Sequence, residues 1–177
     1  MNKRVFCIIG AAVLLAFLFP VVPLAQSPVQ LSVFNPIQLV SEFDSVRGVS
    51  LGLIYTVNND MTGFNLTLGA NKLYGDMKGV QIGLINMNEG DVRWFQTGAY
   101  NRVNGNVYGW QNGLINYNDG LTKGLQTGVL NMTGDLRGLQ IGFMNTTDTL
   151  YGIQLGLINL NASGDPFGFL PIINFGF

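Results

Sequence analysis

The chain has 177 residues, which by size alone suggests a single domain. Charged residues make up only 11% of it, against roughly 25% in a typical soluble domain, while apolar residues reach 47%. The formal net charge of −1 leaves no basic footprint for a polyanion, so nucleic acid is not an expected partner.

The first predicted element is a targeting segment. Residues 1–25 carry a basic start (Lys3, Arg4), a long apolar run and a small residue, Ala25, before Gln26. This is the pattern of a cleaved signal peptide, and it predicts an exported protein whose mature part, residues 26–177, forms one β-repeat domain. The single cysteine, Cys7, lies inside that segment, so the mature chain is expected to have no disulfide and no thiolate chemistry. No second apolar stretch reaches the roughly 18 residues of a spanning helix. Entry into a membrane would therefore be by strands.

Beyond Gln26 the chain repeats itself. The units are "GVSLGLIY" (48–55), a looser "GFNLTLGAN" (63–71), "GVQIGLIN" (79–86), "WFQTGAYN" (94–101), "GWQNGLIN" (109–116), "GLQTGVLN" (124–131), "GLQIGFMN" (138–145) and "GIQLGLIN" (152–159), spaced 14 to 16 residues apart. A short, regular period signals a repeat architecture. Within each unit the apolar pattern has period two, so each unit reads as one strand of about nine residues. The glycine density and the period both argue against helix. About ten strands follow, over 28–34, 47–56, 61–70, 78–86, 93–101, 108–116, 123–131, 137–145, 151–159 and 167–177. Between them lie "NMNEGD", "NRVNGN", "NYNDGL", "NMTGD" and "NTTDT", which are turn sequences. Glu89, Asp91, Asp119, Asp135 and Asp148 all fall in these turns, where plain turn chemistry explains them and no calcium-loop spacing is present.

Two all-β architectures fit. The first is an up-and-down antiparallel β-barrel of about ten short strands, one per repeat, with its apolar face toward outer-membrane lipid. Lys78, Arg93, Tyr108, Lys123, Arg137 and Tyr151 would sit at one rim of the apolar band. Gln81, Gln96, Gln111, Gln126, Gln140 and Gln154 would form a hydrogen-bonded belt in a narrow lumen. The final "FGFLPIINFGF", with Phe175 and Phe177 on one face, resembles the terminal strand signal of such barrels. The second architecture is a single-stack β-solenoid, one coil per repeat. Those Gln residues, with Asn86, Asn101, Asn116, Asn131, Asn145 and Asn159, would then stack into amide ladders, and the apolar face would be buried. Both architectures give a non-enzymatic cell-envelope protein. The barrel implies a structural or binding role in the outer membrane, with lipid and the barrel-assembly machinery as partners. The solenoid implies a secreted or surface-attached protein acting in adhesion or assembly.

The opening "PVQLSVFNPIQLV", the tandem units and the closing "FLPIINFGF" together resemble a family of bacterial surface-repeat proteins of leptospiral type, built from tandem GLQxGLxN units. The resemblance implies export to the outer membrane or cell surface, and carries no catalytic residues. The spacing Gln-x-Gly-x-x-Asn also resembles curli subunit repeats, whose units are longer. Trp94 departs from the pattern, standing where other units have Gly.

A search for chemistry is negative. With no His and no cysteine after Cys7, the common zinc sites and the Ser-His-Asp and Cys-His arrangements are absent. No catalytic, metal or cofactor residues are assigned. Sequons begin at Asn65, Asn131, Asn145 and Asn161, as expected when units end in Asn.

Overall fold

A computed structural model describes residues 26–177; the expected signal peptide, including Cys7, lies outside the described residues. The elements are β1 (Gln26–Phe34), β2 (Ile37–Gln38), β3 (Ser45–Gly52), β4 (Tyr55–Asn58), β5 (Met61–Leu73), β6 (Met77–Asn88), β7 (Val92–Val103), β8 (Val107–Thr127), β9 (Leu130–Ile141), β10 (Met144–Asn161) and β11 (Phe169–Gly176). The fold is a β-solenoid of stacked coils.

Each repeat makes one coil, and each coil has two arms. In the coil beginning at Met77, register with the next coil runs over 77–82, breaks at Gly83 and Leu84, and resumes over 85–88. The break is a corner. In the first coil the same corner separates β3 from β4, at Leu53 and Ile54. The Gly-Leu step of the repeat is thus where the chain turns back. A Cβ on Gly83 would lie 2.5 Å from the Asn71 amide nitrogen, so the inside of the corner has no room for a side chain. Residues 89–91 turn the chain a second time, into the next coil.

Coils pair in parallel and in register, Gln81 with Gln96 and Asn86 with Asn101, and this continues through β10. The strand order runs β11-β10-β9-β8-β7-β6-β5-β3-β1-β2, with β4 beside β5. Among the described residues, the only antiparallel pairs are β1 with β2 and β10 with β11, at the two ends of the stack.

The barrel expectation is corrected here. A barrel needs antiparallel neighbours and contact between its first and last strands. These neighbours are parallel, and β11 and β2 lie at opposite ends of the order. The expected strands of about nine residues also break at their glycine, each into two short arms. β11, read from sequence as a barrel-closing strand, instead lies antiparallel along the last coil and covers its edge: Asn174 pairs with Gln154, and Gly176 with Gly152. Phe175 is only partly covered, and Phe177 is 93% exposed beyond the strand.

The solenoid expectation needs its own correction, because the stack buries the Gln face and turns the apolar face outward. Gln81, Gln96, Gln111, Gln126, Gln140 and Gln154 are fully buried, whereas Leu84, Leu114, Val129, Phe143 and Leu157 are all more than half exposed. Period-two alternation defines two faces without saying which is inside. Stacking identical amides in register gives each one a partner in the next coil, which removes the usual cost of burying it. The outward columns also hold Phe64, Phe95 and Trp110, too large for an interior lined by Gly and Asn. A small aliphatic column completes the core where the first arm begins: Val46, Met61, Met77, Val92 and Val107.

Candidate functional site

The residues singled out from the sequence form two interior ladders. Along the first, Gln96 donates to Gln81, Gln111 to Gln96, Gln126 to Gln111 and Gln154 to Gln140, all at 2.8 Å, and Gln140 donates to Gln126 at 2.7 Å. The Asn ladder runs in the opposite sense: Asn86 donates to Asn101 at 2.8 Å and Asn101 to Asn116 at 2.9 Å, continuing to Asn159. Each Asn from Asn86 to Asn145 spends its second hydrogen on a carbonyl of the next coil's first arm, as Asn86 does on Thr97 at 2.8 Å, and Asn159 donates to Gly156 and to Leu170 of β11. The Asn side chain thus ties the two arms together beside the corner. These amides are buried and, apart from Gln81 Nε2 at the start of the Gln ladder, paired within the stack, so the ladders present no exposed group to a ligand.

Sequence reading missed the ends of the Gln ladder. Gln30, Ser50 and Asn65 occupy the same column as Gln81, and Asn174 caps it beyond Gln154. The signal was present in "PVQLS", "GVSLG" and "GFNLT", whose Gln30, Ser50 and Asn65 each stand two places before the residue at the repeat's Gly position. Ser50 and Asn65 are short, and the ladder breaks there: Ser50 Oγ, Asn65 Oδ1 and Gln81 Nε2 are buried without partners. The sequon residues Asn65, Asn131, Asn145 and Asn161 are all buried, closing them to modification in the folded chain.

The turns carry a ladder of a different kind. Asp60 accepts the amide N–H of Asp76 at 2.7 Å, Asp76 that of Asp91 at 2.9 Å, and Asp91 that of Asn106 at 2.9 Å. Glu89 lies on the same edge, paired with Lys72 and Asn104. The Lys72 hydrogen bond holds its carboxyl below the ordinary glutamate range. On the same edge the Tyr117 hydroxyl is pushed up by its hydrogen bond with Asp119. A shallow cleft of about 320 Å³ between Lys72, Glu89, Arg102 and Asn104 is open to solvent. Among the described residues, no group of three acidic, His or Cys side chains is placed to hold a metal.

The outer surface is therefore sorted by chemistry. Arg47, Lys78, Arg93, Lys123 and Arg137 share one register column, which Tyr108 and Tyr151 complete. Lys72 and Arg102 share a second column, on the other arm. These seven are all the cations between residues 26 and 177. Arg93 stacks on Tyr108 at 5.1 Å, Arg102 on Tyr117 at 5.3 Å and Arg137 on Tyr151 at 5.6 Å. Between the two cation columns, around the corner, lie the apolar columns. Trp94 stands in the glycine column at φ 101° and is 75% exposed.

No family model, curated protein or solved structure matches this chain.

Proposed function

We propose that the chain is a non-enzymatic, exported protein of the cell envelope, attached at the outer membrane or cell surface, that works in adhesion or assembly through its outer face. The observation that carries this is the inverted distribution of side chains. The amides are consumed in internal ladders, while the apolar columns that a free-standing solenoid would hide face outward. Large exposed apolar bands mark contact surfaces. The signal-like segment at residues 1–25 and the resemblance of the tandem units to surface-repeat proteins support the same reading. The barrel-assembly machinery, expected only for a barrel, plays no part in it.

The test is fractionation of cells that produce the chain, with mass measurement of the recovered protein and protease treatment of intact cells. The proposal expects an envelope fraction, loss of residues 1–25 and access from outside. A cytoplasmic protein that keeps its leader would overturn it.

A further inference from the structure

The outward band has the profile of a membrane-seated edge, and we infer that the solenoid docks on a phospholipid bilayer by sinking its corner edge into one leaflet. This deepens the envelope reading above by naming the partner.

The first support is the order of chemistry around the coil. From the corner at Leu114, the outward face of the first arm runs back to Trp110, four residue steps or about 13 Å, interrupted only by the column that holds Thr97, Asn112 and Thr127. The cation and tyrosine column follows, at Arg93 and Tyr108. On the second arm, Arg102 and Tyr117 come two steps beyond Ile115, about 7 Å. Both depths fit within the roughly 15 Å of hydrocarbon in one leaflet. Lys and Arg can reach back to the headgroups from there, and Tyr and Trp favour that level. The carboxylates of Asp60, Asp76 and Asp91 sit on the opposite edge, where the turns would remain in water. The cation columns flank the apolar band on both arms; Lys72, Arg93 and Arg102 are ion-paired with Glu89, Asp91 and Asp119 of the turn edge, and Arg47, Lys78, Lys123 and Arg137 on the first arm are the cations placed to meet lipid phosphate.

The second support is that the corner is ready for a medium without water. Hydrocarbon tolerates only backbone whose polar groups are satisfied internally. At the corner, the Val129 N–H donates to Leu114 O, Met144 to Val129 and Ile158 to Phe143, each at 3.0 Å. The polar side chains that interrupt the outward face pair with each other: Asn112 with Thr97 at 3.0 Å, Thr127 with Asn112 at 2.8 Å, and the Trp110 indole with Thr127 at 2.8 Å.

The third support is shape. The apolar band wraps around a convex ridge and covers part of both arms. A rigid second copy could cover one flank of a ridge, whereas a fluid leaflet can cover both flanks and the crest.

The two tryptophans, Trp94 and Trp110, both lie in the solenoid and none lies in residues 1–25, so their emission reports on this edge alone. The experiment mixes the full chain with phosphatidylcholine/phosphatidylglycerol vesicles bearing bromine on the acyl chains. It compares the wild type with Leu84→Glu/Leu114→Glu and with the opposite-edge control Asp119→Asn. The expected result is quenching of the wild type and of the control by half or more, and at least a tenfold weaker response from the corner variant with its circular dichroism unchanged. Absence of quenching in a folded wild type overturns the inference, as does equal quenching of the corner variant. Concentration-dependent dimers that the corner variant abolishes, without lipid quenching, also overturn it and assign the edge to a second copy. An envelope location without quenching removes the lipid inference and leaves the envelope reading standing; quenching by a protein that stays cytoplasmic does the reverse.

Discussion

A buried glutamine is tolerated here only because its neighbour is the same residue one coil away. Gln111 shows this most plainly, since it donates to Gln96 and accepts from Gln126, both at 2.8 Å. Gln111→Ala orphans the Gln96 oxygen and the Gln126 nitrogen and opens a cavity. It should cost roughly 2–5 kcal/mol, read as a lower urea midpoint. Leu114→Ala, at an exposed corner, should stay within about 0.5 kcal/mol of wild type. That ranking is the reverse of the one for an ordinary apolar core. Trp94 carries strain of the opposite kind. A non-glycine residue at φ 101° costs about 1–3 kcal/mol, so Trp94→Gly should raise the urea midpoint, restoring the residue that the other units use. At the charged edge, the hydrogen bond from Lys72 lowers the pKa of Glu89. A lowered folded value means stabilisation above the unfolded value that is lost as pH falls through the folded one. The wild type's advantage over Glu89→Gln should therefore fade as pH falls through the lowered folded pKa and shrink with added salt, as denaturation midpoints across pH would show. The effect should be small, because the side chain is 42% exposed.

The elements are coils, each in contact mainly with the coils before and after it. Stability in such a stack is close to a sum of coil and neighbour terms. Removing 107–121 joins Asn106 to Thr122 and sets Gln126 against Gln96. The shortened chain should fold with the same strand spectrum and a reduced melting temperature. A chain that fails to fold would contradict the nearest-neighbour account. At this scale much was legible in the sequence. The 14-to-16-residue period, the turns at the acidic residues and the Gln and Asn columns are all where the repeat places them. The corner inside each unit was harder to read, because Gly83-Leu84 continues the alternation of a strand and only the stacking reveals the bend. The caps were also obscure: Asn174 completes the Gln ladder from an antiparallel strand, a partnership that no local pattern in "PIINFGF" announces.

For the molecule as a whole, the sequence left open which face is inside. Alternation is symmetric between the two, and hydrophobicity alone favours burying Leu, Ile and Val. Register decides the other way, because parallel stacking satisfies every amide from Gln96 to Gln154 with its own kind, and it leaves the aromatic and aliphatic columns for the outer surface. The segregation of all seven cations into two columns was half visible, in Lys78, Arg93, Lys123 and Arg137. Lys72 and Arg102 joined only once the second arm was known to fold back. The most direct measurement of this inverted arrangement uses the absence of cysteine between residues 26 and 177. Cysteine is introduced at Gln111 or at Leu114 in a Cys7→Ser background, and each is reacted with a water-soluble maleimide, native and in urea, without lipid. The thiol at 114 should react in the native state as fast as in urea, while the thiol at 111 should react at least a hundredfold more slowly until the chain unfolds. Rapid native reaction at 111 together with protection at 114 would contradict the inverted arrangement, returning the amides to a wet face and the leucines to a core.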